Sequence, residues 1–227
     1  MWVKGPQRRP PFFLYLCEAS PAVGSAVKKS STLTFCSGSN TAHVSFSISF
    51  CSRRSIQGTA FSLKQQRCPR CGKIETLNRH SVLRGNDPAQ TSSQSVRGQR
   101  VFCSNRGRRG GCGGTFSIFL AEVLPRHTMR ASLLWSWLVE WLGGLSLKAA
   151  AETLRLPFAL ETLYRLRRGL RRQLHALRSR LCREQKPPSS THTDPLLQTV
   201  QHLQAVFVQS VCPPAEFQLR FQRPFLG

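Results

Sequence analysis

Four of the nine cysteines stand in a pattern that can do chemistry. Cys68-Pro69-Arg70-Cys71-Gly72 sets two thiols two residues apart, with a glycine after them that can turn the chain back. That spacing lets both thiolates reach one ion. Cys103 and Cys112-Gly113 form a second half, followed by Thr115-Phe116. The gap between those two cysteines holds Arg106, Arg108 and Arg109 with three glycines, which reads as a loop inserted into a knuckle. The expected chemistry is a structural Zn2+ held tetrahedrally by Cys68, Cys71, Cys103 and Cys112. Four free thiols or two disulfides are the alternatives, and the coincidence of two knuckle-like halves favours the metal. His80, between the halves, reads as an ordinary loop histidine. Cys17, Cys36, Cys51, Cys182 and Cys212 stand alone.

Elements must bring those cysteines together, and the stretch 67–120 has little apolar material for it. Ile74, Leu77, Val82, Leu83, Val101, Phe102, Phe116, Ile118, Phe119 and Leu120 are the main large side chains. Metal binding would supply the missing folding free energy, on the order of 10 kcal/mol in small zinc domains. Gln99–Phe102 and Thr115–Ile118 read as strands flanking the second knuckle, and 84–98 as a polar, mobile loop. Residues 1–66 read as a Ser- and Arg-rich leader, disordered or weakly structured. Within it, Val44, Phe46, Ile48 and Phe50 alternate with serines, a strand signal, and Thr32–Cys36 could pair with them as a hairpin.

The second half carries helical periodicity. Arg130 to Leu142 is apolar around most of its circumference, with Ser132, Ser136 and Glu140 as a narrow polar stripe. Gly143-Gly144 ends that helix, Ser146 caps the next, and Pro157 suits the first turn of a third. In the third, Leu160, Leu163, Leu166, Leu170, Leu174, Leu177 and Leu181 recur at three- and four-residue steps. Such a long stripe calls for a covering helix, and a homodimer through it is one expectation. Asp194-Pro195 caps a short amphipathic helix, which could dock on the same stripe, and residues 213–227 read as a disordered tail.

Charge narrows the partner. Lys and Arg number 33 against 10 Asp and Glu, a formal net charge of +23. Residues 1–66, 67–127 and 128–186 carry +7, +8 and +8, while 187–227 are neutral. Polyanions are the natural partners of such a chain, and an excess of Arg over Lys suits phosphate and guanine. Asp87 and Asp194 are the only aspartates, so a site built on several carboxylates has little to draw on. No run of 18 uncharged apolar residues occurs, so no membrane span is expected. A membrane partner is disfavoured because the apolar and basic residues belong to the zinc and helix patterns.

Cys68-Pro-Arg-Cys71, Gly98 to Cys103, Cys112, Thr115-Phe116 and then three helices resemble the N-terminal module of zinc-ribbon insertion-sequence transposases and their small DNA-binding partner proteins. Ser146, Ala150, Ala151 and Leu154, then Thr162, Tyr164 and Arg165, match that family's helix-turn-helix pattern. The resemblance covers about residues 67–183. It departs from the family in the long insert of the second knuckle, in Arg155 where the family's turn has Gly, and in about two extra residues before Thr162. The family's Asp/Asp/Glu catalytic domain has no counterpart.

The resemblance implies a small zinc ribbon (67–124), then an all-α helix-turn-helix bundle (128–186) with a long third helix, and 187–227 as linker, short helix and tail. It implies a non-catalytic, sequence-directed binder of double-stranded DNA, cytoplasmic and nucleoid-associated, working with a separate catalytic transposase subunit. Thr162 and Arg165 would lie near base edges with Tyr164 and Arg155 beside them, and Arg168, Arg171, Arg172, Arg106, Arg108 and Arg109 at phosphates. A zinc-ribbon RNA-binding or ribosome-associated protein is the alternative, as is a truncated remnant or subunit of a transposase.

Overall fold

The computed structural model describes residues 12–13, 49–51, 63–87, 90–107 and 110–227. The sheet is built on an antiparallel meander of β3 (Leu77–Asp87), β4 (Gln90–Cys103) and β5 (Thr115–Leu120). Two short strands, β1 (Phe12–Phe13) and β2 (Ser49–Cys51), pair parallel with β5 along its other edge. The expected Thr32–Cys36 strand lies outside the described residues. Of the Val44–Phe50 pattern, Ser49 and Phe50 are described, and they run beside β5.

The reading of 84–98 as a mobile loop is corrected. Most of this stretch belongs to the β3–β4 hairpin, whose ladder continues from Leu83↔Gly98 out to Asp87↔Gln90. This outer part of the hairpin carries few apolar residues, so its sequence shows no apolar alternation. Arg97 folds back from the hairpin to donate to the backbone carbonyls of Leu124, at 3.0 Å, and His127. It passes so close to Gly85 that a Cβ there would meet its side chain at 2.4 Å.

Five helices follow: α1 (Ala131–Leu142), α2 (Leu147–Thr153), α3 (Leu160–Glu184), α4 (Pro195–Val206) and α5 (Pro213–Phe221). α1 buries Leu134, Trp137, Leu138 and Trp141, and the indole N–H of Trp137 donates to the Leu147 carbonyl at 3.3 Å. The Ser146 hydroxyl accepts from the Ala149 N–H, as its position before α2 leads one to expect. Pro157 falls two residues ahead of Ala159, the N-cap of α3, and so lies in the connection, outside the helix.

The leucine stripe of α3 is covered inside the chain. Leu163, Leu166, Leu170, Leu177 and Leu181 share one core with Leu134, Trp137 and Leu138 of α1, Leu196, Val200 and Leu203 of α4, and Phe217 of α5. The covering helices that such a stripe calls for are thus supplied within the chain. The disordered tail is corrected as well. Pro213-Pro214 start α5, and Phe217, Phe225 and Leu226 are buried. Four-residue steps from Phe217 to Phe221 to Phe225 were the available signal. The helical core runs without a break past residue 186, so the two ends of this half form one unit.

One buried amide ties helices to sheet. The Gln218 side chain on α5 is fully buried; its NH2 donates to the carbonyls of Ala121 (2.6 Å) and Val123 (3.0 Å), where the chain leaves β5. Its oxygen accepts from the Phe225 N–H at 3.1 Å. No helix among the described residues is long and apolar enough to cross a membrane.

Candidate functional site

The two halves of the cysteine pattern converge. The sulfur atoms of Cys68, Cys71, Cys103 and Cys112 all lie within 4.8 Å of one another. Cys68 and Cys112 are 3.7 Å apart, and Cys71 and Cys103 3.8 Å. Such separations exclude disulfides, which need about 2.05 Å. They fit a thiolate tetrahedron, whose edge is about 3.8 Å for a metal–sulfur bond of about 2.3 Å.

Local backbone geometry builds this arrangement. The Gly72 N–H donates to the Cys68 carbonyl at 2.7 Å and the Cys68 N–H to the Lys73 carbonyl at 2.8 Å, closing the first knuckle. Gly72 has φ +70°, in the left-handed region that glycine enters freely. The second knuckle contains the Arg/Gly insert and still closes, through Gly111 N–H to Ser104 carbonyl at 2.9 Å. Gly111 is required there, because a Cβ would sit 2.2 Å from the Ser104 oxygen and 2.7 Å from the Cys103 sulfur. Cys103 and Ser104 bridge to the neighbouring segments, with Cys103 N–H to Gly114 carbonyl at 2.8 Å and Ser104 N–H to Thr76 carbonyl at 2.7 Å.

The electrostatics of the thiols are uneven. Burial pushes Cys68 and Cys112 above the ordinary thiol value, against backbone N–H donors. Burial acts on Cys71 in the same sense, but the Lys73 N–H and the neighbouring thiols outweigh it and bring Cys71 down to about 7. A cation in the middle favours the thiolate at every ligand, so loading this site releases protons. The cluster is able to hold one metal ion. A set of four soft thiolates suits zinc or an iron–sulfur centre and disfavours hard ions. His80 is exposed and takes no place in the cluster.

The residues singled out for nucleic acid fall on three places. Tyr164, Arg165, Arg168, Arg171 and Arg172 lie on the exposed side of α3, with Thr162 half-buried in its first turn. Arg165 binds Glu161 one turn back at 2.6 Å. Arg171 and Arg167 both reach Asp194, at 3.0 and 3.6 Å. Burial pulls the Asp194 carboxyl up, but the Leu196 N–H and these two guanidinium groups hold it below its usual value. Arg168 and Arg172 are exposed one helical turn apart. Arg178 and Arg183 extend the same exposed side and belong with the candidates. Helical spacing, seven residues on from Arg171 and eleven on from Arg172, was enough to find them.

Arg155 sits at the exit of α2 with φ +46°. Its N–H reaches the Glu152 carbonyl and the Leu156 N–H reaches the Ala151 carbonyl, both at 3.0 Å. This is the bond pattern of a helix stop that normally has Gly at this position. Arg106 is exposed in the second knuckle, while Arg108 and Arg109 lie outside the described residues.

No family model matches this chain, no curated protein matches it, and no solved structure matches it.

Proposed function

We propose that this chain is a zinc-stabilised, non-catalytic DNA-binding protein of the transposase-partner type, which lays α3 against duplex DNA. Zinc is the metal of choice on the donor set: four cysteine sulfurs at tetrahedral spacing, partly buried, with glycine turns on both sides. Its role is to hold the ribbon together.

The observation that carries the DNA reading is the exposed side of α3. Arg165, Arg168, Arg171, Arg172, Arg178 and Arg183 line it, and Glu161 and Glu184 are the acidic residues on the helix. At 25 residues, α3 is about 37 Å long, enough to follow a groove and meet phosphates on both sides. Arg168 and Arg172 meet phosphates in this reading, and Tyr164 and Arg165 at the N-terminal end approach base edges. The six-residue connection 154–159 between α2 and α3 is longer than the three or four residues usual in a helix-turn-helix. Asp194 is engaged in capping α4 and pairing two arginines, so it is not free to hold a catalytic metal. Catalysis then falls to a separate subunit.

Fluorescence anisotropy on a labelled duplex tests the reading. The full chain should bind more tightly than about 10⁻⁴ M and weaken steeply with salt. Replacing Arg168 and Arg172 together by Ala should lower the salt slope by about two. Binding that ignores salt, or that ignores this double replacement, would overturn the assignment.

A further inference from the structure

A second surface next to the metal centre has a different chemistry. Asn78, Phe102 and Thr115 stand side by side across β3, β4 and β5, paired as Asn78↔Phe102 and Phe102↔Thr115. Together with His80, Ser104 and Arg106 they line an open groove on the sheet. Phe102 is half-exposed there, and Arg100, two residues earlier on β4, is exposed on the same face of the strand. The Lys64 ammonium donates to the Asn78 side-chain oxygen at the same place. Among the described residues, no carboxylate lines the groove.

Two features mark this as more than an ordinary sheet face. His80 is the extra residue of a β-bulge, since the register steps from Arg79↔Val101 directly to Ser81↔Arg100. The bulge breaks the ladder beside the groove, and the His80 imidazole, on the same face as Asn78, lines it with the Ser81 hydroxyl 3.3 Å from its Nδ1. The metal knuckles also frame it. Phe102 and Ser104 flank Cys103, Arg106 belongs to the insert, and Thr115 follows the Cys112 turn.

A flat aromatic ring flanked by Arg106, the Asn78 amide and, further along β4, Arg100 matches a base with its phosphates. In a duplex the bases are stacked and their faces closed, so such a ring can be used only by an unpaired strand. We infer that the groove binds single-stranded DNA, with one base stacked on Phe102 and phosphates beside Arg100 and Arg106. The choice of DNA over RNA rests on the duplex-DNA reading of α3; the groove itself does not. The protein would then hold duplex on its helices and an unpaired strand on its ribbon.

The test compares three probes by anisotropy: a labelled oligodeoxythymidine, a duplex, and an oligouridine of the same length. Phe102→Leu keeps the apolar bulk and loses the flat ring, while Phe102→Tyr restores the ring, and bound zinc reports folding in both. Single-strand affinity should fall about tenfold in Phe102→Leu and recover in Phe102→Tyr, with duplex affinity unchanged. Single-strand binding that survives Phe102→Leu but is lost when Arg168 and Arg172 become Ala overturns the groove and leaves the DNA reading of α3 standing. Tighter binding of oligouridine than of oligodeoxythymidine overturns the assignment to DNA. Failure to bind any probe overturns both.

Discussion

The sheet and the helical unit differ in how much apolar material they bury and in the cysteine cluster that only the sheet carries. Among the described residues, the sheet core gathers ten buried side chains, and two of them, Cys68 and Cys103, are metal-site cysteines. Leu77, Val101, Phe116, Ile118 and Leu120 supply most of the rest. The helical core gathers twenty, including Trp137, Trp141, Phe217, Phe225 and a file of leucines on α3. Apolar burial at about 25 cal/mol per Å² can sustain a core of the second kind alone. The first is smaller among the described residues, and its four thiols stand where one ion would join both knuckles. In the proposed reading the metal site acts as a folding device, and the surfaces it frames depend on it.

Removing the metal should break the comparison most visibly. A strong chelator, or Cys103→Ser, withdraws folding free energy on the order of 10 kcal/mol from the sheet. Hydrogen exchange of the full chain should then show β4 and β5 losing protection while α1, α3 and α4 keep theirs. Simultaneous loss of both regions would show that the helices also depend on the metal.

A smaller effect is expected at the joint. Gln218→Leu leaves the Ala121 and Val123 carbonyls without their buried donor and should cost about 1–3 kcal/mol. Calorimetry should show the loss together with a separation of the two unfolding transitions. An unchanged single transition would mean that the units are coupled by other contacts.

The smallest effect should have the opposite sign. Arg155 occupies a left-handed conformation at a helix stop where glycine is strain-free. Arg155→Gly should stabilise the helical unit by about 1 kcal/mol, read as a rise in Tm, and should weaken duplex binding. Stabilisation without weaker binding would remove Arg155 from the DNA surface.

Local physics was legible in the sequence and long-range physics was not. The cysteine halves, the strands Gln99–Phe102 and Thr115–Ile118, the Ser146 and Asp194 caps and the leucine stripe of α3 all follow from spacing within a few residues. The outer β3–β4 hairpin escaped because it carries few apolar residues and so leaves no alternating hydrophobic pattern. α5 escaped because two prolines and a mixed composition masked the Phe217, Phe221, Phe225 spacing. The Gln218 tie joins residues about a hundred positions apart, and Asp194 meets Arg171 across a turn of chain; neither partner carries a local signature. The groove at Phe102 was hidden for the same reason, since three strands and a bulge assemble it.

The central claim is that the four cysteines hold one zinc ion that folds the ribbon. Metal analysis of the purified full chain, grown with zinc present, tests it most directly. One zinc per chain, lost in Cys68→Ser and in Cys103→Ser but retained in Cys182→Ser, is the result expected. A wild-type protein without zinc, or zinc unaffected by Cys68→Ser and Cys103→Ser, would contradict it.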